Sequence, residues 1–89
     1  MEIDNAKVDQ ITARLRRVEG QVRGLQGMIE SGRDCADVVV QFSAAVRALE
    51  QAGFQYFAAA LAQCAADPVR AADQGYTAEK LEKMFLQLA

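Results

Sequence analysis

From Cys35 to Ala66 the sequence offers one unbroken helical pattern, with no proline and a single glycine, Gly53. Small or apolar residues return at positions 35, 39, 42, 46, 49, 53, 56, 60 and 64, which is the spacing of one helix face. Gly53 weakens such a helix without ending it; Pro68 ends it. At 1.5 Å per residue the helix is roughly 45–50 Å long. A compact chain of 89 residues cannot cover so long an apolar face. The pattern therefore predicts a partner chain.

The rest of the chain agrees with an all-α fold of three helices in a single domain spanning 1–89. Alanine is abundant, proline occurs once and aromatics make up 7%. Val8, Ile11, Leu15, Val18, Val22, Leu25 and Ile29 alternate spacings of three and four, a heptad stripe that predicts a first helix over about 6–31. Gly32 fits the position just past its end. Asp34 fits an N-cap for the second helix, about 35–66, with Asp37 in the capping-box position. The segment DPVRAADQGY reads as a loop. Thr77 then caps a short third helix, about 78–88, whose stripe is Leu81, Phe85 and Leu88.

Charge is distributed unevenly behind a net −2. Lys7, Arg14, Arg16, Arg17 and Arg23 outnumber Asp9 and Glu19 over residues 7–23, whereas residues 34–89 are acidic on balance. On a helical wheel with Leu15 at the origin, Arg16 and Arg23 fall at about 100° and 80°, Arg17 at about −160° and Arg14 at about −100°. Gly20, Gly24 and Gly27 cluster at about 120–180°, opposite the apolar stripe. Each glycine costs the helix roughly 1 kcal/mol against alanine. Their place on the solvent side suits a surface that something must approach closely, such as a DNA phosphate or another subunit. A plain solvated arginine face is the alternative.

The N-terminal MEIDNAK has no apolar signal core, and no run approaches the ~18 apolar residues of a membrane span. The chain thus reads as cytoplasmic and without a membrane role. In that compartment disulfides are usually transient.

Two cysteines and no histidine bound the site chemistry. Cys35 and Cys64 are 29 residues apart. Twenty-nine helical steps end about 20° past eight full turns, so both thiols share a face, yet they lie about 43 Å apart along it. A disulfide needs Cα atoms within about 7 Å. The two thiols of one chain cannot meet, but two copies packed antiparallel about a two-fold axis near Leu49 and Glu50 bring Cys35 beside Cys64 of the partner, twice. Alternatively, both are small core residues. Two thiolates without histidine fall short of a zinc site. They suit Cu(I), or sulfur exchange in which one thiolate attacks and the other resolves. Cys35, at a helix N-terminus and near Arg33, fits the attacking role, although Asp34 and Asp37 oppose it.

The run RLRRVEGQVRGLQGMIESGRDCADVVVQFSAAVRAL resembles the first two helices of the CsoR/RcnR/FrmR family of repressors, and the likeness extends from about Ile11 to Cys64. The resemblance implies an all-α antiparallel dimer, usually a dimer-of-dimers tetramer, that binds operator DNA through Arg14, Arg16, Arg17 and Arg23 and releases it when the sensor site is filled. It implies no enzyme activity and no resident cofactor. Copper sensors of this family carry a histidine where Ala60 stands, a tyrosine where Asp34 stands and a supporting glutamate where Lys80 stands. The nickel and cobalt sensors need several histidines, and the formaldehyde sensor needs a proline where Glu2 stands. What remains resembles the persulfide-sensing, CstR-type branch. The expectation is a homo-oligomeric repressor whose Cys35 and partner Cys64 respond to persulfide or polysulfide by closing a di-, tri- or tetrasulfide, derepressing sulfide-detoxification genes. The alternatives are Cu(I) held by Cys35 and Cys64, and a general thiol-oxidation sensor. A helical thiol enzyme finds no base, no CxxC pair and no phosphate loop here.

Overall fold

A computed structural model describes residues 2–89. Met1, the first residue of the stretch read as lacking a targeting signal, lies outside the described residues. Four helices follow one another: α1 (Asn5–Glu30), α2 (Cys35–Ala66), α3 (Pro68–Asp73) and α4 (Ala78–Leu88). Among the described residues there is no strand, and no helix is long and apolar enough to cross a membrane.

The turn between α1 and α2 is set by Gly32. Its φ of +72° is open to glycine at no steric cost. There the Gly32 N–H donates to the Ile29 carbonyl at 3.2 Å and the Arg33 N–H to the Met28 carbonyl at 2.9 Å, a complete Schellman closure. The Asp34 carboxylate accepts from the Ala36 N–H at 3.2 Å and so starts α2. The reciprocal half of the expected capping box is not made: the Asp37 carboxylate lies 4.0 Å from the Arg33 guanidinium instead.

Residues 68–73, read from sequence as loop, are helical. Pro68 ends α2 but also occupies the first turn of α3, where its missing N–H has no partner to lose. Asp67 serves both helices. Its N–H closes α2 on the Gln63 carbonyl, and its carboxylate accepts from the Arg70 N–H at 3.1 Å. Gly75, at φ +84°, ends α3 with a second Schellman closure. Thr77 caps α4 through its hydroxyl, as expected.

α1 packs along α2, and α3 and α4 fold back onto α2 alone. The molecule measures 54 × 25 × 13 Å, and its thin dimension is about one helix diameter. Its radius of gyration is 17.0 Å, against about 12 Å for a compact domain of this length. Helices are laid side by side in one layer, whereas a stable core needs two. Only alternate members of the α1 heptad stripe, Ile11, Val18 and Leu25, are buried on α2. Val8, Leu15, Val22 and Ile29 are not.

Candidate functional site

α2 presents its two ends differently. Around Cys35 the face is open: Val39, Phe42, Val46 and Leu49 all keep about half or more of their surface exposed, and Cys35 is exposed with them. Beyond the midpoint α4 packs beside the same face, although Tyr56 on it stays exposed. The Phe85 ring of α4 sits 6.1 Å from both Phe54 and Phe57. The end of α4 comes so close that a Cβ on Gly53 would lie 3.2 Å from Leu88 Cδ2. That contact gives Gly53, a weak point by helix propensity, a packing role. Ala60 and Cys64 are 2% and 8% exposed.

Because α2 runs unbroken from Cys35 to Ala66, the two thiols of one chain stand at opposite ends of it, and both are free. Within the chain nothing brings them together. The fold instead leaves a trough along α2. At one end Ile11 and Leu15 of α1, Leu49 and Tyr56 of α2, and Met84 and Leu88 of α4 line a concavity of about 560 Å³. Toward the other end, Val18, Val22 and Ile29 of α1 and Phe42 and Val46 of α2 line one of about 270 Å³. A third, between α1 and Leu49, carries Glu19 and Arg23 at its edge. Leu49 lines all three. It is also the residue beside the midpoint between Cys35 and Cys64, where the thiol spacing puts a two-fold axis.

Arg14, Arg16, Arg17 and Arg23 are all exposed on α1. Among the described residues the ion pairs are Arg33 with Asp37 and Lys83 with Glu79, so none of the four arginines is engaged. Measured around α1 from the buried Val18, Arg16 and Arg23 lie about 160° and 140° to one side, Arg17 about 100° and Arg14 about 40° to the other. Arg14 therefore borders the α1–α2 seam, and the other three point further out. Gly20, Gly24 and Gly27 fill the strip between Arg17 and Arg16, and a Cβ on any of them would meet nothing within 4 Å. The backbone there is bare and open.

As a metal site the residues offer little beyond sulfur. Among the described residues no three of His, Cys, Asp or Glu converge. One turn before Cys64 the buried position is Ala60. Two thiolates alone, as the sequence reading pairs them across copies, would fit a soft, low-coordinate ion such as Cu(I) and not zinc.

Sequence reading missed the surroundings of Cys64. Glu2, Gln63, Asp67, Arg70, Ala71 and Gln74 gather around it, the last four because α3 exists. The signal was present in Asp67-Pro68, an N-cap residue followed by the residue preferred at the first helical position.

The family described as metal-sensitive transcriptional repressor matches residues 7–87. The copper-sensing transcriptional repressor CsoR of Bacillus subtilis is 39% identical over 77 residues, covering 86% of this chain and 76% of that protein. The copper-sensing transcriptional repressor RicR of Mycobacterium tuberculosis is 45% identical over 56 residues, 63% of this chain and 58% of that protein. Among solved structures, the copper-sensing repressor CsoR with Cu(I) from Geobacillus thermodenitrificans superposes with a TM-score of 0.74 at 35% identity, covering 96% of this chain and 85% of that one.

Proposed function

This chain belongs to the family of metal-sensitive transcriptional repressors, and from that premise we propose that it is a cytoplasmic, homo-oligomeric repressor that grips operator DNA with α1 and releases it when Cys35 and the partner's Cys64 are engaged. It acts as a single domain, and as a repressor it is not an enzyme. The observation that carries the reading is the pair of free thiols at the two ends of one unbroken helix whose open face centres on Leu49. Antiparallel packing of two such helices covers the trough and makes two identical thiol pairs. Arg16, Arg17 and Arg23, unpaired and outward, supply the phosphate contacts, with Arg14 at the seam supporting them.

The relatives put Cu(I) first as the inducer, ahead of the reactive sulfur that the cysteine pattern alone favours. Cys35 and the partner's Cys64 are the residues that would hold it. Bound, the ion would join the α2 helices of two copies.

One observation favours the second reading, reactive sulfur: Ala60 is buried where a copper sensor carries histidine. In that case the Cys35 thiolate takes the outer sulfur of a persulfide, releasing the donor as a thiol. The partner's Cys64 then displaces hydrogen sulfide and closes a disulfide. Addition of further sulfur from the donor gives the longer bridges.

The test is binding to a DNA fragment selected by the protein from a randomised pool. Arg16→Ala and Arg17→Ala should weaken binding and each lower the salt slope by about 1. Unchanged affinity and slope in both sinks the DNA assignment. Release of that fragment by Cu(I), persulfide and peroxide, followed by intact mass, separates the inducers. Bathocuproine-resistant Cu(I) supports copper, and interchain links bearing added sulfur support persulfide.

A further inference from the structure

We infer that α3 is a size filter over Cys64, one that passes a single ion or a single sulfur atom to the thiol and holds back bulkier thiol-reactive molecules. The meaning of this device rests on Cys64 being a sensor thiol, as proposed above; its existence does not.

Cys64 is 8% exposed, whereas Cys35 is exposed. What opens onto Cys64 is a cleft of about 20 Å³ between Glu2, Gln63, Asp67, Arg70, Ala71 and Gln74. One water needs about 10–15 Å³, so the cleft admits a single small species and not a peptide-sized thiol. α3 and its two caps supply most of that cleft's wall, and Glu2 and Gln63 complete it. Its inward residue, Ala71, is 6% exposed. A helix of six residues does not persist alone. This one is held at both ends: by the Asp67 carboxylate on the Arg70 N–H, and by the closure at Gly75, where the Tyr76 N–H donates to the Ala71 carbonyl at 2.8 Å. The roof over Cys64 is thus a small, separately fastened part whose opening costs little beyond these bonds and the Ala71 contact.

The consequence is a division of labour between the thiols. A bulky donor, whether it carries Cu(I) or sulfane sulfur, can unload only at Cys35. Cys64 receives what is passed across the interface.

The experiment reads alkylation rates of the full-length protein by intact mass, with iodoacetamide as the small reagent and a maleimide-polyethylene glycol as the bulky one. A Cys35→Ser protein reports Cys64 and a Cys64→Ser protein reports Cys35. The bulky-to-small rate ratio should be at least about tenfold lower at Cys64 than at Cys35. In the Cys35→Ser background, Ala71→Lys (a charge that cannot stay buried) and Gly75→Val (a branched side chain at φ +84°) should each raise the bulky rate by about tenfold. If either substitution unfolds the chain, the comparison of the two thiols with α3 intact still decides. Equal ratios at the two thiols, or folded variants that leave the ratio at Cys64 unchanged, overturn the filter. Operator binding is not read here, so failure of the filter and failure of the sensor assignment stay distinct.

Discussion

The two halves of α2 carry the same face and meet opposite fates. From Cys35 to Leu49 the face is branched and aromatic, and its large residues keep about half or more of their surface exposed. From Gly53 to Cys64 it is mostly small, and α4 and α3 pack against it at Gly53 and beside Cys64, leaving Tyr56 exposed. Small residues let the chain's own helices approach, as Gly53 does for Leu88. Large ones are left for a second molecule. The difference shows that a single apolar stripe can serve two masters when its residue sizes change halfway along.

Charge at the open half should break the comparison most severely. Leu49→Asp puts a carboxylate at the centre of the trough in both copies. Each lost leucine contact is worth about 1.5–3 kcal/mol, so oligomer affinity measured by sedimentation should fall at least about 100-fold. A Leu49→Asp protein that sediments as wild type refutes the proposed interface.

The roofed half should respond in stability more than in assembly. Phe85→Ala removes the ring that meets both Phe54 and Phe57. Its half-exposed position limits the cost to about 2 kcal/mol, seen as a melting point lowered by roughly 10 °C. A smaller step is Asp67→Ala, which removes the carboxylate that caps α3. It should cost about 1 kcal/mol in denaturant titration, with the loss of amide protection confined to α3. Least of all is Lys83→Ala. Its ion pair with Glu79 is 3.5 Å long with both side chains largely in water, so the melting temperature should not move. A shift of several degrees there shows that α4 meets a partner in the assembly.

Much of this protein was legible in its sequence. Heptad spacing and the Gly32 turn located α1, and the proline-free run from Cys35 located α2, within a residue or so. The arginines read as solvent-facing are exposed. α3 was missed, because Pro68 was read as the stop of one helix and not also as the start of the next. The choice between them was made by Asp67, which caps one helix while closing another. The reading of α1 was also incomplete. A heptad stripe says which residues seek cover, not which of two neighbours provides it, and α2 covers only Ile11, Val18 and Leu25.

By itself the sequence determined the all-helical class, a second helix too long for its own chain to cover, and the impossibility of joining Cys35 to Cys64 within one molecule. These are matters of periodicity and rise per residue, which are local. Tertiary structure alone decided that Cys64 is roofed and Cys35 bare, that α4 rests on Gly53, and that the open surface converges on Leu49. Those outcomes depend on how helices distant in sequence share a single apolar face, and helical periodicity carries no record of that.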